Sequence, residues 1–196
     1  MSPPVYVQPP HIYVFFGAIG LWIVSDLHIA WRFGGRGDAS QDRGSKRVLG
    51  LSVAAGVLGA ALVSEFVTAL SLAHPAIAFW GGIGTMVLGV VVRQYAAWTL
   101  REYFSLEVTV DSTDSVVTSG PYRWVRHPSY TGGFTTLVGL GVAVGNWVSL
   151  AVVIGAGLVG YGYRITVEER ALRDQLGDEY EAYAERTPYR LVPGLW

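Results

Sequence analysis

The chain has no cysteine among its 196 residues. That absence excludes disulfides, Cys-ligated zinc, iron–sulfur clusters and any thiol nucleophile. Charge is scarce as well, at 15% of residues, against about 25% in an ordinary soluble domain. Lysine is nearly missing, Lys46 being the only one, and the net charge of −1 leaves no basic surplus for nucleic acid. The first ten residues, MSPPVYVQPP, carry no positive segment, so no cleaved signal peptide is expected. What is abundant is apolar: 51% of the residues are hydrophobic and the mean hydropathy is +0.36. Several uncharged runs are long enough to cross a bilayer, which points to a polytopic membrane protein.

The runs extend from about Ile12 to Trp31, Val48 to Leu72 and Ala76 to Leu100. Each has roughly the 20 residues that a hydrocarbon core of about 30 Å requires. A fourth apolar region, Thr131 to Tyr163, is too long for one span and is interrupted by Gly145-Asn146, a turn signal, so it reads as two helices in a hairpin. Every lysine and arginine except Arg93 falls in the first loop, between the third and fourth runs, or in the C-terminal tail. The positive-inside rule then places the N-terminus outside and the C-terminus in the cytoplasm. An odd number of spans requires the same arrangement. The expected fold is therefore an all-α membrane protein with five transmembrane helices. It is read as a single membrane domain over 1–196. Residues 12–100 hold the first three spans, and 101–196 hold the hairpin 131–163 and the tail 164–196.

Four ionisable residues lie within the spans: Asp26, His28, Glu65 and Arg93. Such groups are costly in a membrane unless paired. Asp26 and Arg93 both sit roughly 8–11 Å from the same ends of their helices at 1.5 Å per residue, so they can meet as a buried structural ion pair, a role on a substrate pathway being the alternative. Glu65 lies nearer the opposite face, with His74 close by. Small residues at packing spacing (Gly56 with Ala60, Gly81 with Thr85, and Gly155, Gly157 and Gly160) suit close helix approach. Gly139-Leu140-Gly141 with Gly145 imitates a nucleotide-binding loop but lacks the preceding strand that reading requires.

The chemistry concentrates in Asp111–Gly133 and Arg164–Trp196. In the first, Ser119-Gly120-Pro121-Tyr122 is a turn, and Arg126-His127-Pro128-Ser129-Tyr130 leads into the fourth span with Pro128 in its first turn. An interfacial aromatic belt with snorkelling arginine accounts for Trp124 and Arg123 but not for a His-Pro beside an arginine. In the second, Arg164 and Glu168 share a helix face at spacing four. Ala171, Leu172 and Leu176 continue an apolar stripe, Gly177 ends the helix, and Asp178 caps the next. An amphipathic helix alone would explain much of this tail.

Val117–Gly132, VTSGPYRWVRHPSYTG, resembles the signature of the isoprenylcysteine carboxyl methyltransferase family of integral-membrane enzymes. So do RxxxEExxL (Arg164–Leu172) and GDEYxxY (Gly177–Tyr183), at matching separation. The first two spans are similar only in hydropathy. The resemblance implies methylation of a lipid-linked carboxylate at the cytoplasmic face, dependent on S-adenosylmethionine. It implies cofactor contacts at Ser115, Val116 and Val117 in a strand-like approach, then at Tyr122, His127, Pro128, Ser129, Tyr130 and Glu168. It implies that Arg126 and Arg164 orient the acceptor carboxylate, and that the 101–130 segment and the C-terminal helices form a cytoplasmic cofactor-binding cap, making 101–196 the catalytic module.

Residue chemistry suits these roles. Aromatic faces stabilise a sulfonium. An acceptor carboxylate is ionised at neutral pH and needs no base, only orientation and removal of water. Arginine binds a carboxylate through a planar fork and stays charged near lipid. The partners expected are a lipophilic carboxylate entering from the bilayer and membrane lipids, with no nucleic acid and no metal. A phospholipid amine N-methyltransferase is one alternative, although an amine arrives protonated and needs a base. An NADPH-dependent membrane reductase of the sterol-reductase type and a non-catalytic scaffold are others. Arginine in place of lysine, with abundant Ala, Gly and Val, suggests a GC-rich bacterial genome and hence a bacterial cytoplasmic membrane. In such an organism the acceptor could be a small isoprenoid or lipid acid.

Overall fold

The computed structural model describes residues 3–33, 42–100 and 116–196, and these fold as helices joined by short turns. The long helices are α1 (His11–Phe33), α2 (Ser45–Phe66), α3 (Pro75–Leu100), α4 (Pro128–Val144) and α5 (Trp147–Leu176), followed by the short α6 (Asp178–Arg186). Among the described residues there is no strand; the one β-bridge joins Ser71 to Asn146. Helices α1, α2, α3 and α5 are long and apolar enough to cross a membrane. At 17 residues α4 is shorter and is the most enclosed, packed mainly against α3 and α5.

The expected break at Gly145-Asn146 is present. Gly145 takes a left-handed conformation (φ 77°) and closes α4, and the Asn146 side chain accepts the amides of Val148 (2.9 Å) and Ser149 (3.1 Å) to start α5. Asn146 Nδ2 also donates to the Val67 carbonyl at 2.6 Å, and the Leu72 amide donates to the Gly145 carbonyl at 2.8 Å. These bonds explain why α2 stops at Phe66 and not at Leu72 as expected: residues 67–72 form a turn whose backbone is engaged by the α4–α5 turn. Gly177 ends α5 as expected, but it also begins α6, so Asp178 is the first residue of that helix and makes no side-chain cap.

Close approach of α3 and α4 depends on glycines facing backbone. A Cβ on Gly89 would lie 2.6 Å from the Gly132 carbonyl oxygen, and one on Gly139 would lie 2.8 Å from that of Gly82. On the second packed pair, α2 and α5, Gly56 meets Ala156 and Gly160 meets Leu49 and Ser52. Gly81 and Gly155 face open space, so the small-residue reading fails at those two positions. Tyr6, Phe15, Ala60, Phe79, Met86, Leu137, Leu140 and Val153 form the core between the helices.

The polar segments collect at one end. Asp42 just before α2, the stretch 116–127, the C-terminal half of α5 and the tail are linked there by side-chain hydrogen bonds. The opposite end carries the Val67–Leu72 and Gly145-Asn146 turns. It also holds the N-terminal turn, where the Tyr6 hydroxyl lies 2.8 Å from Ser64 Oγ and 3.5 Å from Glu65.

Candidate active site

The 3-10 turn Gly120–Arg123 and the first residue of α4, Pro128, hold Arg126 and His127 on a short irregular segment. That segment is strapped by the tail: the amides of Arg126 and His127 donate to the carbonyls of Tyr189 (2.9 Å) and Arg190 (3.0 Å). Thr131 Oγ1 adds a bond to the Leu191 carbonyl at 2.7 Å. Proline at the helix start removes an amide that would have no partner there, so the turn into α4 leaves no donor unsatisfied at that position.

Two carboxylates adjacent in sequence serve separate networks. Glu169 is buried and gathers three arginines and a histidine: Arg126 Nε donates to it at 2.9 Å, Arg190 at 2.9 and 3.1 Å, Arg173 at 3.5 Å, and His127 Nε2 lies 3.3 Å away. Arg126 also donates to the Thr187 carbonyl at 2.7 Å. A buried carboxylate needs this degree of compensation, since an unpaired charge there costs several kcal/mol.

Glu168 faces elsewhere. The Tyr130 hydroxyl donates to Glu168 Oε2 at 2.6 Å and accepts from Arg164 Nε at 3.0 Å. The spacing-four pair is thus bridged by a tyrosine. His127 stacks on Tyr130 with centroids 5.6 Å apart and rings inclined by 12°, and its Nδ1 is 3.8 Å from Glu168. The other end of Arg164 reaches Asp42, in an ion pair, and Ser45 Oγ at 2.8 Å.

A third link lies deeper. Arg93 donates to Asp26 at 2.6 Å, the pair expected from helix position, and reaches the carbonyl and hydroxyl of Ser129 at 3.3 Å each. Beside it, Gln94 donates to the carbonyl and hydroxyl of Ser25.

The structure thus brings Tyr130, His127, Glu168 and Arg164 together. Pro128 and Ser129 are buried at the start of α4 beside them. Tyr122 is buried, its ring hydroxyl 3.4 Å from the Ala96 carbonyl, and its own carbonyl accepts from Tyr183 at 2.8 Å. Burial pushes the phenols of Tyr122, Tyr180 and Tyr183 well above their ordinary range. Val116 donates its amide to Glu179 at 3.0 Å; neither it nor Val117 lies in a strand, which corrects the strand-like reading. Ser115 lies outside the described residues. Arg126 and Arg164 are held by different carboxylates, Glu169 and Asp42. Sequence reasoning read Asp42–Arg47 (DRGSKR) as a helix-end anchor, with substrate access as the alternative, and gave no site role to Glu169 or Arg190. The signals were present: an acid and a serine among the cations of Asp42–Arg47, and the second glutamate of the Glu-Glu pair. Among the described residues no cluster of three or more His, Asp or Glu is arranged to hold a metal.

An all-helical bundle of membrane-length helices, with a carboxylate–tyrosine–arginine network at one end, defines a membrane protein with a polar site at its rim. Residues 82–174 match the model of the isoprenylcysteine carboxyl methyltransferase (ICMT) family. Among similar curated proteins, the protein-S-isoprenylcysteine O-methyltransferase of Schizosaccharomyces pombe is 34% identical over 108 residues, 54% of this chain and 46% of that protein. The human protein of the same name is 32% identical over 119 residues, 55% of this chain and 38% of its own length. The chain thus spans about half or less of the length of these relatives. A solved structure of the eukaryotic intramembrane Ras methyltransferase ICMT superposes with a TM-score of 0.69 at 23% identity, covering 96% of this chain and 69% of that one. That likeness is one of fold.

Proposed function

We propose that the chain is an S-adenosylmethionine-dependent carboxyl O-methyltransferase acting on an isoprenylcysteine-like lipid acid at the cytoplasmic face of a membrane. The observation that carries this reading is the Arg164–Tyr130–Glu168 relay, which lies within the family-matched stretch and joins a cation to a partly exposed carboxylate. The proposed topology has five spans, with α4 as the short enclosed one and the N-terminus outside. Residues 101–196 supply the catalytic module.

The residues present fit the cofactor. Glu168 has Oε2 engaged by Tyr130, yet 30% of its side chain stays exposed, enough to accept from an ammonium or a ribose hydroxyl. The stacked rings of His127 and Tyr130, with Tyr122, offer aromatic faces to a sulfonium. Pro128 and Ser129 complete that wall, and Ser115, Val116 and Val117 are assigned to its approach. When bound, S-adenosylmethionine supplies the electrophilic methyl group.

The remaining work falls to the chain. Arg126 and Arg164 orient the acceptor carboxylate, Arg126 positioned in advance by its bond to the Thr187 carbonyl and Arg164 by its bond to Tyr130, which limits the ordering left for the reaction. The acceptor arrives ionised, which removes the need for a general base. Enclosure by α3, α4 and the tail excludes water, which strengthens the arginine–carboxylate attraction. The lipid tail of the acceptor stays in the bilayer.

Purified protein incubated with methyl-tritiated S-adenosylmethionine and N-acetyl-S-farnesylcysteine is expected to form a base-labile methyl ester. Arg164→Ala should lower that transfer at saturating cofactor. Reduction of a substrate by NADPH with no methyl transfer would overturn the assignment. Normal transfer by Arg164→Ala at saturating cofactor would remove Arg164 from acceptor binding.

A further inference from the structure

Asp42, in the basic segment just before α2, reaches into the site. It is buried, ion-paired to Arg164 Nη1, and accepts from Ser45 Oγ at 3.0 Å and from the Lys46 amide at 3.3 Å. Ser45 Oγ is itself 2.8 Å from Arg164 Nη1, so arginine, serine and aspartate form a closed triangle. Through Nε the guanidinium also donates to Tyr130. Arg164 therefore divides its fork: one side fixes the tyrosine that holds Glu168, and the other side binds a carboxylate supplied by this chain.

A buried guanidinium requires a counter-anion in every state of the protein, because leaving it unpaired costs far more than a surface ion pair yields. Arg164 is the residue proposed above to take the acceptor's carboxylate, and it already carries one. Resting on that reading, we propose that Asp42 is an exchangeable internal counter-ion: the acceptor's carboxylate displaces it from Arg164, and it returns when the charge is lost. Two features make the exchange inexpensive. First, Asp42 keeps partners three and four residues further along its own chain, at the start of α2, where a carboxylate is favoured by the free amides of the helix terminus. Second, one anion replaces another, so Arg164 is never left alone.

The exchange also sets specificity and turnover. A neutral lipid cannot displace Asp42, because the guanidinium would trade a charged partner for an uncharged one. The reaction converts the acceptor carboxylate to a neutral methyl ester, and Asp42 then recaptures Arg164 and expels the product. An ion pair fixed for structural reasons alone would give neither effect.

The test compares the unchanged protein with Asp42→Asn, using methyl-tritiated S-adenosylmethionine and N-acetyl-S-farnesylcysteine. Removing the competing charge should lower the acceptor KM by about fivefold while the cofactor KM stays the same. Inhibition by the methyl ester of the same probe should become stronger by a similar factor. A purely structural Asp42 predicts a raised or unchanged acceptor KM, and either result overturns the exchange. Asp42→Ser, which keeps an acceptor for the Lys46 amide, takes the place of Asp42→Asn if that variant does not fold. Failure of both to fold makes the pair structural and also overturns it. Absence of methyl transfer by the unchanged protein defeats the methyltransferase reading itself, and this inference with it. Transfer with no change of acceptor KM defeats only the exchange.

Discussion

Glu168 and Glu169 occupy successive positions on α5, about 100° apart around the helix, and this angle alone gives them different neighbours. Glu169 points inward, where Arg126, His127, Arg190 and Arg173 converge on it. Glu169→Ala would leave Arg126 buried without its carboxylate, at an expected cost of about 3–5 kcal/mol. Arg190→Ala removes one of several partners from a side chain that is 35% exposed, and should cost about 1 kcal/mol or less. Thermal unfolding of detergent-solubilised protein checks the difference: similar midpoints for the two variants would remove Glu169 from the centre of this network. The sequence made Arg126, His127, Tyr130, Arg164 and Glu168 legible because they crowd into two short blocks of unusual residue types. Asp42 was not legible, since it meets Arg164 across 122 positions and no local pattern marks such a contact. Tyr130 was assigned as an aromatic face; that its hydroxyl stands between Arg164 and Glu168 depends on how α4 and α5 pack.

At the scale of helices, the sequence signalled boundaries wherever backbone chemistry is local. Gly145-Asn146 marked the hairpin because glycine adopts the left-handed turn and asparagine caps the following helix. The end of α2 was misjudged by six residues, because Val67–Leu72 is apolar and its turn is imposed by Asn146 from a distant part of the chain. Glycine spacing was similarly ambiguous, as Gly81 and Gly89 look alike in sequence. In the fold, Gly89 faces the Gly132 carbonyl on α4, whereas a Cβ on Gly81 would meet nothing within 4 Å. Gly89→Ala must therefore push α3 from α4, at an expected cost of about 1–3 kcal/mol. The shift would also carry Arg93 away from Ser129, beside the site. Gly81→Ala should be neutral or gain up to about 1 kcal/mol from better helix propensity. Measured stability and folded yield of the two variants decide this, and equal loss in both would refute close α3–α4 contact.

Across the whole molecule, the distribution of charge and the distribution of chemistry coincide. Arg32, at the last turn of α1, and Arg43, Lys46 and Arg47, at the start of α2, belong to the same end of the bundle as Arg126, Arg164 and the tail arginines. The other end, with the Tyr6, Val67–Leu72 and Gly145-Asn146 turns, presents no lysine or arginine among the described residues. Cationic ends are retained on the cytoplasmic side of membranes, so the site end should face the cytoplasm. The chain offers a clean way to measure this, because it has no cysteine of its own. A single cysteine at Ala73, exposed between α2 and α3, should react with a membrane-impermeant maleimide in intact cells. A single cysteine at Gln175, exposed near the end of α5, should react only after the membrane is opened. The reverse pattern would invert the topology and place the arginine cluster outside, where a cytoplasmic methyl donor could not reach it. Labelling of both positions in intact cells would show that α5 and α2 end on the same side, and the five-span arrangement would fall.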